Sequence, residues 1–363
     1  MVDASQLVSE YVKDFQPYAP IEPPAEIAAR IGLPIDQVIK LDANENPYGV
    51  PKNVLDSLST ADGMHIYPDP CQRESRKLIG NYCGFPSDNI VIGNGSDELL
   101  DLICRIFLKP DDVALGFSPT FSYYDHVVKL NHGQYRLIPR NDKFEIDISK
   151  LSPEAFDNVK IAFLCSPNNP TGNTINEETL DYFLKKNVVV VLDEAYFEFC
   201  RRSMIEKVKE RNNLIVLRTF SKVFALAGFR IGYGVMDAKI AQLFMSVKPP
   251  YSITVPAEVA LKTSLQSLES FDAQVNEMSR TREDMISELK SVDGLEPFPS
   301  ESNFVLIKVT GKDAKEVQLQ LEKVGLLVRY YSSEILKNYI RVSIGTPKQI
   351  QFFLASIKVI MKT

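Results

Sequence analysis

Lys222 stands in the stretch RTFSKVFALAGFRIGYG, residues 218–234, between small hydroxylated residues and a largely uncharged run whose next charge is Arg230. Burying an ammonium costs free energy unless it is paired. A lysine that is partly desolvated, or set near other cations, gives up its proton more readily and becomes a nucleophile. Asp193 ends the run VVVVLD; a carboxylate there needs a partner, or it takes up a proton. Tyr196 follows three residues later, and Asn169 is held in SPNNPTG between Asn168 and Pro170, which aims its amide. In IVIGNGSDELLDLI a glycine turn opens a helix. The amides of Gly95, Ser96 and Asp97 would then point from a helix N-terminus, where anions bind. Each feature alone has a plainer reading: a solvated lysine, a helix capped by Asn94 or Ser96, a turn of turn formers, an aspartate in a salt bridge.

The elements that must position these residues read as an α/β chain. DNIVIGNG, DDVALGF, VKIAFLC, NVVVVLD and NNLIVLRTF are short β-branched runs ending in polar or Gly/Pro punctuation. They have the pattern of strands buried on both faces, with SDELLDLICRIFL and EETLDYFLKK as covering helices. Such sheets collect ligands beyond the carboxyl ends of their strands, where the polar features above fall. Residues 1–40 are spotted with proline and read as an arm with one short helix, AEIAARIG. Residues 41–250 read as a large domain with a mainly parallel sheet. KPPYSITVP marks the boundary to a smaller α+β domain, 251–363, which begins with one long amphipathic helix over roughly 257–292 and continues with the strands NFVLIKV, GLLVRYY and YIRVSIG.

Composition narrows the function classes. A net charge of −6 over 363 residues argues against a nucleic-acid footprint. No apolar run approaches the roughly 20 residues of a membrane-spanning helix. Five cysteines without CxxC spacing and only three histidines make a metal site unexpected. The start MVDASQLVSEYVKDF lacks a basic-then-apolar leader, so a cytoplasmic protein is expected.

Taken jointly, the polar set describes a pocket for a phosphorylated, aromatic, aldehyde-bearing cofactor, and pyridoxal phosphate fits each role. The glycine turn, Thr219, Ser221 and Arg230 would hold the phosphate. Asp193 would pair with the protonated ring nitrogen, and Lys222 would form the imine. Asn169 and Tyr196 would bond the ring oxygen, and Tyr124, in SPTFSYYDH, would stack on the ring.

The chain resembles the fold-type-I pyridoxal-phosphate-dependent aminotransferases, and within them the histidinol-phosphate branch. The resemblance runs in order through PYAP, LDANENPYG, YPDP, GNGSDE, SPTFSYY, SPNNPTG, DEAYFEF, TFSKVFALAGFRIGYG, LLVR and YIRVSIGT. It implies a large domain with a seven-stranded sheet flanked by helices and a smaller α+β domain. It also implies a catalytic set of Lys222, Asp193 and Tyr196, and a phosphate held by the amides of Ser96 and Asp97 with Ser221 and Arg230. Tyr67 would reach the phosphate of the neighbouring subunit in a homodimer. Arg341 would grip the substrate's anionic end, with Arg329, Tyr18, Asn46 and Asn169 as further substrate contacts. Phe121 stands where many relatives carry tyrosine, and Ser96 where alanine is common. The implied reaction is transamination between histidinol phosphate and 2-oxoglutarate. The same scaffold also serves aromatic amino acid aminotransferases, decarboxylases of phosphorylated amino acids and non-catalytic cofactor-binding regulators.

Overall fold

The structure is a computed structural model that describes residues 3–13, 15 and 22–362. Twelve strands are described: β1 Ile39–Leu41, β2 Ile90–Asn94, β3 Val113–Ser118, β4 Gln134–Pro139, β5 Val159–Cys165, β6 Val189–Asp193, β7 Leu214–Thr219, β8 Ile231–Val235, β9 Leu295–Pro297, β10 Phe304–Val309, β11 Leu326–Tyr330 and β12 Tyr339–Ser343. Seven of them form a sheet in the order β2-β8-β7-β6-β5-β3-β4. Neighbours from β7 through β6, β5 and β3 to β4 run parallel, while β8 is antiparallel to both β2 and β7. This is the fold-type-I arrangement expected.

The central strands form here because they are apolar on both faces. Leu164, Val190, Leu192 and Val216 face one buried layer, and Phe163, Val191, Ile215 and Leu217 face the other. Helices cover both sides, among them Gly95–Phe107 and Glu177–Leu184. The parallel alignment brings the carboxyl ends of β2, β3, β5, β6 and β7 to one edge, where β8 begins just after Arg230.

The second sheet has the order β1-β11-β12-β10-β9. All its pairings are antiparallel except β1 with β11. Strand β1 spans the expected end of the arm at residue 40 and belongs to this smaller sheet, through Ile39 opposite Leu326 and Leu41 opposite Val328. The single long helix expected over 257–292 is two helices, Val255–Leu265 and Leu268–Leu289. The break is local chemistry: Ser267 leaves helical geometry at φ −127°, and its hydroxyl donates to the Thr263 carbonyl at 3.2 Å, competing with the helical pattern.

Candidate active site

Asp193 is the last residue of β6, and the site is built outward from it. Its side chain is buried, and its Oδ2 accepts from the Tyr124 hydroxyl at 2.6 Å while Oδ1 accepts from the Ala195 N–H at 3.0 Å. Burial pushes its carboxyl up to about 6, against the pull of those two bonds and of Lys222 nearby.

Lys222 lies three residues beyond β7, half-buried, with Nζ 3.4 Å from the Ala43 carbonyl and 5.5 Å from the centre of the Tyr196 ring. Desolvation, then the guanidinium of Arg341 and that of Arg230, bring its pKa down to about 8. The isolated lysine of the stretch 218–234 is thus an amine that gives up its proton more readily than an ordinary lysine.

The anion cradle comes from three strand ends. Helix Gly95–Phe107 starts directly after β2, and no side chain caps it, so the amides of Ser96 and Asp97 stay open; neither Asn94 nor Ser96 takes the capping role. Arg230 adopts φ 56° just before β8 and ion-pairs with Asp97 at 2.9 Å. Gly95 sits at φ 76°, a backbone conformation that L side chains rarely adopt, and a Cβ on it would also push against the Arg230 guanidinium. Thr219 and Ser221 share a hydroxyl contact of 3.0 Å, and the Ser221 N–H donates to Thr219 Oγ1 at 3.1 Å.

On the other side of the cleft, Arg341 of β12 donates to Asn169 Oδ1 at 2.7 Å and to the Asp42 carbonyl. Its buried Nε has no partner among the described residues. Asn169 in turn points Nδ2 at the Tyr196 hydroxyl, at 3.4 Å. Arg329 lies directly opposite Arg341 in the β11–β12 ladder, so the two side chains leave the same face of the sheet. Like charges set directly opposite destabilise a sheet unless something anionic joins them.

Not every expected residue takes its expected part within this chain's own site. Tyr124 does not offer a stacking face: it is fully buried, its ring lies on Phe163 at 4.9 Å and 6°, and its hydroxyl is taken by Asp193. The cause is where the helix Tyr123–Leu130 begins, which turns Tyr124 inward and leaves Phe121, edge-on to it at 5.5 Å, only partly buried. Asn46 is fully used by the fold, with Nδ2 on the Val223 carbonyl and Gln274 and Oδ1 on the Tyr48 N–H. Asn44, two residues earlier, is the asparagine that reaches Tyr196, at 3.0 Å. Tyr67 is 78% exposed and stacks on Tyr251. Tyr18 lies outside the described residues.

One further group was not anticipated. Arg218 of β7 and Glu194, the residue just past β6, form a buried ion pair at 2.8 Å, closed by Ser203 and by Phe197 under the guanidinium. It ties together the two strand ends that carry Asp193 and Lys222.

The residues fit pyridoxal phosphate. They offer open helix amides with a guanidinium for a phosphate, a buried carboxylate for a ring nitrogen, an amine of lowered pKa, and a phenol from which no described residue accepts. Among the described residues no helix is long and apolar enough to cross a membrane.

The family described as aminotransferase class I and II matches residues 36–357. The chain is 39% identical over 360 residues to the chloroplastic histidinol-phosphate aminotransferase of Nicotiana plumbaginifolia, covering 98% of this chain and 87% of that one. It is 36% identical to the histidinol-phosphate aminotransferase of Dehalococcoides mccartyi, covering 95% of each chain. Among solved structures, the histidinol-phosphate aminotransferase of Sinorhizobium meliloti in complex with pyridoxal-5'-phosphate superposes with a TM-score of 0.88, at 24% identity over 98% of this chain and 97% of that one.

Proposed function

The chain belongs to the aminotransferases of class I and II, and on that premise we propose that it exchanges an amino group between histidinol phosphate and 2-oxoglutarate, as a step of histidine biosynthesis. Its cofactor is pyridoxal phosphate. The observation that carries the phosphorylated substrate is the pair Arg329 and Arg341 on one face of the small sheet, with a buried Nε of Arg341 left unpartnered. Planar guanidinium groups so arranged suit a phosphate or carboxylate, and an anion between them relieves their repulsion.

When bound, pyridoxal phosphate supplies the aldehyde that takes up the amino group and a protonated ring that draws electrons from the substrate's Cα. The chain's own residues do the rest. Lys222 would take the proton from the donor's Cα and deliver it to the cofactor's aldehyde carbon, C4′, which suits an amine whose pKa is about 8; transfer of this kind contributes typically about 10²–10⁴-fold in rate. Asp193, ionised above about 6, holds the proton on the ring nitrogen, and Tyr124 keeps that carboxylate in place. Ser96, Asp97, Ser221 and Arg230 hold the cofactor phosphate, with Thr219 supporting Ser221. Asn169 and Tyr196 face the ring oxygen. The stacking role falls to Phe121, the partly buried aromatic of its segment.

The frame of this reading is a large cofactor-holding unit over 41–250, a small unit over 251–363, and the arm. A homodimer completes it, with Tyr67 reaching the neighbouring phosphate; Met64 at 51%, Ile66 at 61% and Tyr67 at 78% exposure form an apolar strip that supports such a contact. The described cysteines are all unpaired, which supports the reducing conditions of the cytoplasm. The test is steady-state kinetics of wild type and Arg329→Gln with histidinol phosphate and with phenylalanine. The variant is expected to lose kcat/KM for histidinol phosphate and keep it for phenylalanine; an equal loss for both would refute the phosphate assignment.

A further inference from the structure

The hydroxyl of Tyr196 is where polar groups from the two sheets converge. Asn44 is buried in the left-handed region, at φ 57°, and every one of its polar groups is engaged. Its N–H donates to Ser343 Oγ at 2.8 Å, and its carbonyl accepts from Asn303 Nδ2 at 2.9 Å. Ser343 Oγ, already an acceptor there, is left to donate its own hydrogen to Asn44 Oδ1 at 2.9 Å. That fixes the amide: oxygen toward Ser343, nitrogen toward Tyr196, at 3.0 Å from the phenol oxygen. A second amide is fixed by another neighbour. Arg341 carries donors only, so Asn169 must turn its oxygen to it, and Asn169 Nδ2 then faces Tyr196 at a longer 3.4 Å.

Two amide N–H groups therefore point at one phenol oxygen. With its lone pairs so occupied, the hydroxyl must give its hydrogen elsewhere, and no described residue accepts it. We infer that Asn44, held in orientation by Ser343, is a positioning residue that makes Tyr196 an obligate hydrogen-bond donor to the cofactor's ring oxygen. The inference rests on the reading above that Tyr196 faces that oxygen. It gives the small sheet a hand in the cofactor's electronics, since Ser343 and Arg341 lie two apart on β12 and so on one face. Tyr196 itself is held protonated, because burial raises its pKa well above the ordinary phenol value. A hydrogen bond donated to the ring oxygen favours its anionic form and lowers the pH midpoint of the bound cofactor's visible absorbance.

The experiment is a spectral pH titration of the holoenzyme, with cofactor dissociation measured in parallel. Tyr196→Phe removes the donor, and a lost bond to a charged acceptor raises the midpoint by about 1–2 units. Asn44→Asp offers the phenol an acceptor in place of a donor, so it is expected to raise the midpoint nearly as far. Ser343→Ala frees the Asn44 amide to turn over, and a smaller rise in the same direction is expected. The double variant Asn44→Asp/Tyr196→Phe should match Tyr196→Phe; a further rise would mean that the new charge, not the phenol, carries the effect, and would overturn the inference. Wild-type midpoints in both Asn44→Asp and Ser343→Ala, with Tyr196→Phe shifted, would overturn it as well. Ser343→Ala decides alone if Asn44→Asp does not fold. An unshifted Tyr196→Phe would instead remove the underlying placement of Tyr196, and this inference with it.

Discussion

Replacing Tyr124 by phenylalanine removes one oxygen from the site and little else. The ring keeps its stack on Phe163 and its edge contact with Phe121, so the packing survives. What goes is the 2.6 Å bond to Asp193 Oδ2, leaving the Ala195 N–H, at 3.0 Å from Oδ1, as the carboxylate's remaining donor among the described residues, in a place only 4% exposed. Bonds to charged groups are worth about 1.5–3 kcal/mol, or about 1–2 pH units on the acceptor. Burial already lifts Asp193 to about 6, and the loss moves it further up. The carboxylate is what the ring nitrogen needs, so cofactor binding to the ligand-free protein is present above the pKa of Asp193 and is lost as pH falls through it. In wild type that acid limb is centred near 6; in Tyr124→Phe it is expected about 1–2 units higher. The assay is titration of ligand-free protein with pyridoxal phosphate, followed by absorbance at a series of pH values. An unchanged limb, or a loss of affinity equal at every pH, would refute the reasoning.

Other expected outcomes follow from the same geometry. Lys222→Ala should lower kcat by at least about 10²–10⁴-fold while the protein still folds, checked by single-turnover absorbance and by its melting curve. Arg341→Gln should weaken every substrate, by about 10–100-fold in kcat/KM, because its guanidinium also orients Asn169 at 2.7 Å. Asp193 and Glu198 both have carboxyls raised by burial, to about 6 and about 8, so the native state binds protons more tightly than the unfolded chain. Their contribution to stability is therefore fullest at low pH and declines as pH rises toward those values. Glu198→Gln should accordingly raise the melting temperature of the ligand-free protein above pH 8 and leave it near wild type at pH 5; a uniform shift at both would contradict this.

Much of the site was legible because strand ends are legible. Asp193, Thr219 and Asn169 each follow an apolar run, and a parallel sheet gathers such ends at one edge. Lys222 and Arg230 could be read from their isolation in an uncharged stretch. What could not be read was register and turn geometry. Tyr124 and Phe121 are three residues apart, and only the start of the helix at Tyr123 decides which ring is buried. Asn44 and Asn46 are two apart in one loop, and the left-handed backbone at Asn44 selects the one that meets Tyr196. Strand β1 has three residues, too few for a period to show, and the helix break at Ser267 depends on a single hydroxyl. The substrate roles of Arg329 and Arg341 were expected only through family resemblance; that they face one another is a matter of strand register.

The central claim is that this chain moves an amino group to and from a phosphate-bearing substrate through a cofactor held at Lys222. The most direct measurement is the half-reaction: the cofactor absorbance of purified holoenzyme, first with glutamate added, then with imidazole-acetol phosphate or with phenylpyruvate. Glutamate should bleach the visible band, and imidazole-acetol phosphate should restore it far faster than phenylpyruvate does. A band that glutamate leaves unchanged, or one that phenylpyruvate restores at the same rate or faster, would contradict the account.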